Sequence, residues 1–315
     1  MGQICVAAAK CSLFPILAGL LISCSINRLA VRAVAGFLTT SGASTVFTGD
    51  DDPELIRDAL PFTLKTYESL LAQDPRNAKL ALATGSAFAS YAYAFVQIPS
   101  DELPADQVDR QQAGHQRAKL LFLRARRYVL QGLDALRPGF SAALDGQGAD
   151  AALRLVRRDD IDYLYWTAAA WLGAFSADPY DFSLIVTVPR AVALLQQVLA
   201  WDPAYGAGGG QQILISFYGT APADLGGSEE KARQSFERAV TYSKGLKAGP
   251  YIALATAVSV KRQDAAEFKD LLGKALAVDP SAAPADRLQN TIDQRRARWL
   301  LDNVDQFFLD QGDSG

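Results

Sequence analysis

Thr63-Leu64-Lys65-Thr66-Tyr67-Glu68-Ser69-Leu70-Leu71-Ala72-Gln73-Asp74-Pro75 decides how the rest of this chain is read. Thr63, Tyr67 and Leu70 stand 12, 8 and 5 residues before Pro75. Spacings of four and three place them on one face of a helix. A proline cannot donate the next helical hydrogen bond and disfavours the helical state of the residue before it, so the chain turns at Asp74-Pro75. The offsets recur as Thr167/Trp171/Ala174 before Pro179, Ala191/Leu195/Val198 before Pro203, and Phe268/Leu272/Ala275 before Pro280. A fifth set, Ala232/Phe236/Ala239, has Lys244 where the proline would stand. Upstream, Asp52-Pro53-Glu54 reads as a helix start: a capping carboxylate, a proline suited to the first turn, and an acid at the positive helix end. A calcium loop at Asp50-Asp51-Asp52 is disfavoured, because the spaced ligands and the twelfth-position Glu are missing. The run Leu184-Ile185-Val186-Thr187-Val188 is β-branched but short and ended by Pro189, too little to found a sheet. The fold class is all-α.

The shared offsets resemble the second helix of a tetratricopeptide repeat, which sets small, large and small residues ahead of a proline. Phe268, Leu70 and Val198 occupy small-residue positions, and the proline-to-proline intervals are 104, 24 and 77 residues. The expectation is therefore an irregular helical-repeat bundle or solenoid with insertions, set against a generic bundle whose helices end in Asp-Pro.

The N-terminus carries a different signal. After Lys10, an apolar stretch runs from Cys11 to Ser23 and meets Cys24 through Leu21-Ile22-Ser23. The stretch is shorter than the roughly 20 residues a membrane span needs. It reads as a lipoprotein leader, removed before Cys24 is acylated, and acyl chains in that number anchor a protein stably. The domain reading is a signal peptide over 1–23, a lipidated stem and first helix over 24–49, one helical-repeat domain over 50–311, and a tail over 312–315. Cys5 and Cys11 leave with the leader and acylation uses Cys24, so no thiol remains for a disulfide, a nucleophile or a metal.

The full chain has 31 Lys and Arg against 34 Asp and Glu, and the leader holds one of these charges, Lys10. This mild acidity, with no basic block, argues against nucleic acid as a partner. The single histidine, His115, excludes a two-histidine metal site within one chain. It lies beyond the polar run Asp106–Gly114 and reads as a solvated side chain. Gly206-Ala207-Gly208-Gly209-Gly210 lacks the Gly-Lys-Ser/Thr of a phosphate loop and reads as a loop opening the next helix. Gly226-Gly227-Ser228-Glu229-Glu230 reads as a turn and cap. The pairs Arg126-Arg127, Arg157-Arg158 and Arg295-Arg296 read as solvated helix faces, with a carboxylate clamp as the sharper alternative. No catalytic constellation emerges, so the expectation is a non-enzyme without cofactor or metal. Tyr91, Tyr165, Trp166, Trp171 and Tyr218 are the candidate walls of a ligand cavity; core or subunit interface is the rival reading for these aromatics.

Five segments in order resemble the TatT family, tetratricopeptide-like lipoproteins associated with TRAP transporters (tripartite ATP-independent periplasmic transporters). They are Asp50–Phe62, Ala92–Gln97, Asp162–Trp166, the stretch Leu225-Gly226-Gly227 with Lys231–Arg233 and Phe236–Ala239, and Ala283-Pro284 with Arg295–Ala297. The resemblance implies a helical homotrimer with a cavity in each protomer, docking substrate-binding P subunits of a TRAP system. It implies a role in presenting or relaying small organic acids, apolar ones foremost. Many members are expected to carry a histidine where this chain has Gln211 and Gln212. Ser25 after Cys24, in place of Asp, points to the periplasmic face of an outer membrane. The alternative function is a lipid-anchored scaffold for envelope assembly, because a helical-repeat fold alone does not separate the two.

Overall fold

A computed structural model describes residues 35–36 and 41–309. Cys24 and residues 1–23, read from sequence as a leader, lie outside the described residues. Among the described residues there is helix and no strand. The main helices are α1 (Ser41–Thr48), α2 (Pro53–Gln73), α3 (Ala78–Ala92), α4 (Val108–Leu136), α5 (Ile161–Ala177), α6 (Val188–Trp201), α7 (Tyr205–Thr220), α8 (Glu229–Ser243), α9 (Gly249–Leu254), α10 (Ala265–Leu276) and α11 (Arg287–Asp302). α3 and α9 each run on into a π-helical turn, Tyr93–Gln97 and Ala255–Ser259.

The helix boundaries follow local chemistry. Asp52 caps α2, its Oδ1 accepting from the Leu55 amide at 3.0 Å, and Pro53 takes the first turn. Asn77, Ser228 and Asp264 cap α3, α8 and α10 in the same way. At the far ends, α2, α5 and α6 stop at Asp74, Asp178 and Asp202, each followed by its proline. α8 stops at Lys244, whose φ of 55° turns the chain left-handed at the place where the proline is absent. The fourth Asp-Pro differs. α10 has already ended at Leu276, and Asp279 instead caps a short 3-10 turn by accepting from the Ser281 amide at 2.9 Å. The β-branched run forms no strand: Phe182–Ile185 is a short helix, Val186 and Thr187 make a turn, and Pro189 lies in the first turn of α6.

Neighbouring helices stack in sequence. α2 packs on α3, α3 on α4, α4 on α5, and α5 on α6. α7 pairs with α8, and α9 and α10 carry the stack to α11. The residues at the Asp-Pro offsets fill the middle: Thr167, Trp171, Ala174, Ala191, Leu195, Val198, Ala232, Ala239, Phe268, Leu272 and Ala275 are all buried. One continuous apolar cluster runs from Ile56 to Leu300. The last helix then returns to the first ones. Arg295 pairs with Glu54 of α2, and Arg296 reaches Asp101 Oδ2 at 3.0 Å. Ile292 packs against Ala94 and Ile98. The stack is closed by its own C-terminal helix.

Candidate functional site

Tyr218 stands in a cleft between α6, α7 and α8. Gln211, Leu214 and Tyr218 recur at three- and four-residue spacing and give α7 one face toward it. Gln196 and Leu199 come from α6, and Lys231, Arg238 and Tyr242 from α8. The space measures about 550 Å³, within the range of small-molecule sites. α7 can approach α8 because Gly206, Ala207 and Gly208 are left-handed, with φ of 60°, 50° and 85°. A Cβ at Gly208 would lie 2.9 Å from the Ala239 carbonyl oxygen. The glycine-rich stretch is therefore the kinked entry of a helix, as its sequence suggests.

The cleft is electrostatically one-sided. Lys231 Nζ lies 5.5 Å from the centre of the Tyr218 ring. Neither Lys231 nor Arg238 has an ion-pair partner among the described residues, and no carboxylate lines the cleft. Gln196 Nε2 donates to the Tyr218 hydroxyl at 3.3 Å. Gln211 is only 3 % exposed, and its Oε1 has no hydrogen-bond partner. An unmet buried acceptor costs about 1–3 kcal/mol. Gln212, the next residue, turns to the other side of α7, where a Cβ on Gly249 would sit 2.3 Å from its Nε2. The two glutamines therefore serve different faces, and only Gln211 reaches the cleft.

The other sequence-predicted aromatics do not join Tyr218. Tyr165 and Trp166 meet edge-on at 5.3 Å, and Tyr165 lies 4.8 Å from Tyr205. The Tyr205 hydroxyl donates to Asp162 Oδ1 at 2.5 Å. Burial raises the Tyr165 hydroxyl to about 12, and burial followed by the Asp162 bond raises that of Tyr205. Nearby, Lys247 binds the Gly206 carbonyl at 2.8 Å and Asp286 at 3.0 Å. Tyr91 is buried against Phe95 at 5.9 Å. Trp171 is buried in the core. It is 1 % exposed, with the Arg126 guanidinium 4.2 Å above its ring and its Nε1 donating to Thr187 Oγ1 at 3.3 Å.

Two solvated-face readings need correction. Arg126 and Arg296 are partly buried, while Arg127 and Arg295 stay exposed; adjacent helical residues point about 100° apart, which lets one of a pair lean inward while the other faces out. His115 is half-buried, and its Nε2 lies 2.8 Å from Asp101 Oδ1, a bond that raises its pKa. Asp101 thus ties α4 to α11 through His115 and Arg296. Beside them, burial raises Asp293 to about 6. Sequence reasoning missed Lys231 and Arg238 as cleft residues. Their signal is the spacing Lys231, Ser235, Arg238, Tyr242, one stripe along α8.

Among the described residues, no three His, Cys, Asp or Glu side chains gather to hold a metal, and no helix is long and apolar enough to cross a membrane. The fold is all-helical, and its cleft is lined by two cations, Lys231 and Arg238, without ion-pair partners among the described residues. Residues 49–308 match the family model of the TRAP transporter T-component, and the chain belongs to that family. It is also 35 % identical over 321 residues to a protein of Treponema pallidum (strain Nichols) described as an uncharacterized protein, covering 97 % of both chains. The family is a component of a transport system.

Proposed function

We propose that this protein is a lipid-anchored, non-catalytic accessory subunit of a TRAP-type transport system. It works on the periplasmic side of the outer membrane, docks a substrate-binding P subunit, and presents or relays a small organic acid. The observation that carries this reading is the T-component match over residues 49–308, which spans almost all of the described chain. The cleft supports it in chemistry: a carboxylate entering beside Tyr218 meets two unpaired cations, Lys231 and Arg238, and apolar walls from Leu199 and Leu214. This fits an anion carrier, since opposite charges with no competing acid favour the ionised ligand. Cys24 supplies the tether, and a homotrimer is the working assembly. The test is co-elution of the mature chain with a TRAP substrate-binding protein of the same organism. A stable complex of defined stoichiometry, with this chain sedimenting as a trimer, is the expected result. A monomer that passes every such P subunit without binding would overturn the proposal.

A further inference from the structure

On the long helix α4, Arg117, Leu120, Arg124 and Arg127 recur at spacings of three, four and three, which sets them on one face. Arg117 and Arg127 are exposed, and Leu120 is 57 % exposed. Leu120, Leu123, Arg124 and Arg127 line an open hollow of about 410 Å³. The Arg117 guanidinium lies 6.0 Å from the centre of the Tyr91 ring, and that of Arg127 lies 5.1 Å from the centre of the Tyr128 ring. Among the described residues, the ion pairs of α4 belong to His115, Lys119, Arg124 and Arg137, which leaves Arg117 and Arg127 without one. The acid bonded to the stripe is Glu68 of α2, 2.6 Å from Arg124. In a chain with more acids than bases, α4 therefore presents a basic face with leucine at its middle.

We propose that this α4 face lies on an anionic lipid surface, the membrane that holds the tether, and so fixes how the helical body is presented. The proposal rests on the reading of Cys24 as a lipid anchor. The first described residue, Ala35, packs with Tyr67, Leu71, Leu80 and Ala81 in a small cluster bordered by Tyr128, which is one turn beyond Arg124. Cys24 stands 11 residues before Ala35. At no more than about 3.6 Å per residue, the acylated cysteine is held within roughly 40 Å of the stripe. Between Cys24 and Asp50 the sequence carries Arg28 and Arg32 and no acid, so the stem has the same sign of charge. Arginine suits this place. Its apolar stem follows the helix while the guanidinium reaches out, and its planar fork matches phosphate oxygens. Leu120 and Leu123 enter the interface between the headgroups, as on other amphipathic helices that lie in a membrane plane.

Vesicle sedimentation of the mature chain carrying Cys24→Ala tests the face without the anchor. In about 10 mM salt it should pellet with phosphatidylglycerol vesicles and stay in solution with phosphatidylcholine. Raising the salt to about 0.15 M shortens the screening length from about 30 to 8 Å and should release it. Arg117→Gln/Arg127→Gln should weaken the binding by more than about tenfold, since each cation near an anionic surface is worth about a factor of five. An unchanged melting temperature establishes that this variant folds. Orientation is read on the acylated chain, which has no other thiol once the leader is gone. A dye on Leu120→Cys should be quenched by brominated lipid several-fold more than one on Lys274→Cys, an exposed position of α10, which packs on α9 and α11. No pelleting with phosphatidylglycerol, binding that survives the double variant, or equal quenching at the two positions overturns the proposal. Should the double variant break the trimer or the complex with the P subunit while the parent ignores vesicles, the stripe faces protein and the proposal is wrong. The two readings fail separately. Vesicle binding by a chain whose parent takes up no palmitate sinks the anchor, and a palmitoylated parent whose Cys24→Ala form ignores vesicles sinks the face.

Discussion

Replacing Trp171 by alanine tests whether the Asp-Pro offset pattern marks the core. The ring is 1 % exposed, sandwiched under Arg126 at 4.2 Å and bonded through Nε1 to Thr187. Removing an indole takes away about 150–250 Å² of buried surface. At about 25 cal/mol/Å² that amounts to roughly 4–6 kcal/mol before relaxation. Measured truncations of buried aromatic rings fall at about 3–5 kcal/mol, since neighbours move partly into the space. Loss of the Thr187 bond and of the cation–π contact adds about 1–2 kcal/mol. Water entering beside Arg126, whose pKa is lowered by burial, returns some of that through solvation. The expected loss is therefore about 4 kcal/mol. Urea unfolding followed by circular dichroism reads it as a midpoint lowered by more than about 1 M at unchanged slope. Trp171→Phe, which keeps a ring under Arg126, should lose less than half as much. A Trp171→Ala protein within about 1 kcal/mol of the parent, with weakened acid binding, would refute the core assignment and restore Trp171 as a cavity wall.

Gly85→Ala places a Cβ 2.4 Å from Val129 Cγ2 and 2.7 Å from the Ala125 carbonyl oxygen. It should destabilise by about 1–3 kcal/mol despite the helical preference of alanine, and a melting temperature at or above the parent's would show that α3 and α4 are not in that contact. The pKa of Asp293 is raised to about 6 and that of His115 is also raised. Each contributes stability that is full below its unfolded pKa and is lost as pH rises through its folded pKa. Asp293→Asn should therefore flatten the decline between pH 4 and 6 in chemical denaturation, and a profile parallel to the parent's would count against a buried, proton-holding Asp293. Cys24→Ala should release the protein from the membrane fraction and end metabolic labelling with palmitate. Persistent labelling would move the anchor elsewhere.

The helix ends were legible because their causes are local. A capping carboxylate and a proline act within one turn, so Asp52, Asp74, Asp178 and Asp202 could be placed from sequence. Asp279 could not, because α10 frays two residues before it at Ala277 and Val278. Trp171 had two readings, one from periodicity and one from its aromatic character. Periodicity prevailed, because a four–three spacing reports a shared face and aromatic content reports only size. Arg296 was misread because its partner, Asp101, is 195 residues away and adjacent only after α11 closes the stack; His115 was misread because the turn that folds Asp101 back onto α4, 14 residues away, carries no signal of that pairing. The π turns at Tyr93–Gln97 and Ala255–Ser259 have no compositional mark that separates them from α-helix. Tyr218 was singled out by residue type, whereas Lys231 and Arg238 come beside it in the cleft only once α6 and α8 are brought together over α7.

The relay itself is tested most directly by the rate at which a loaded P subunit releases its acid. The account predicts that adding this chain in excess changes that rate several-fold, and that Lys231→Ala/Arg238→Ala forms the same complex but leaves the rate as it was. A complex that forms with the parent chain while release is unaltered would contradict the relay and leave only a docking role.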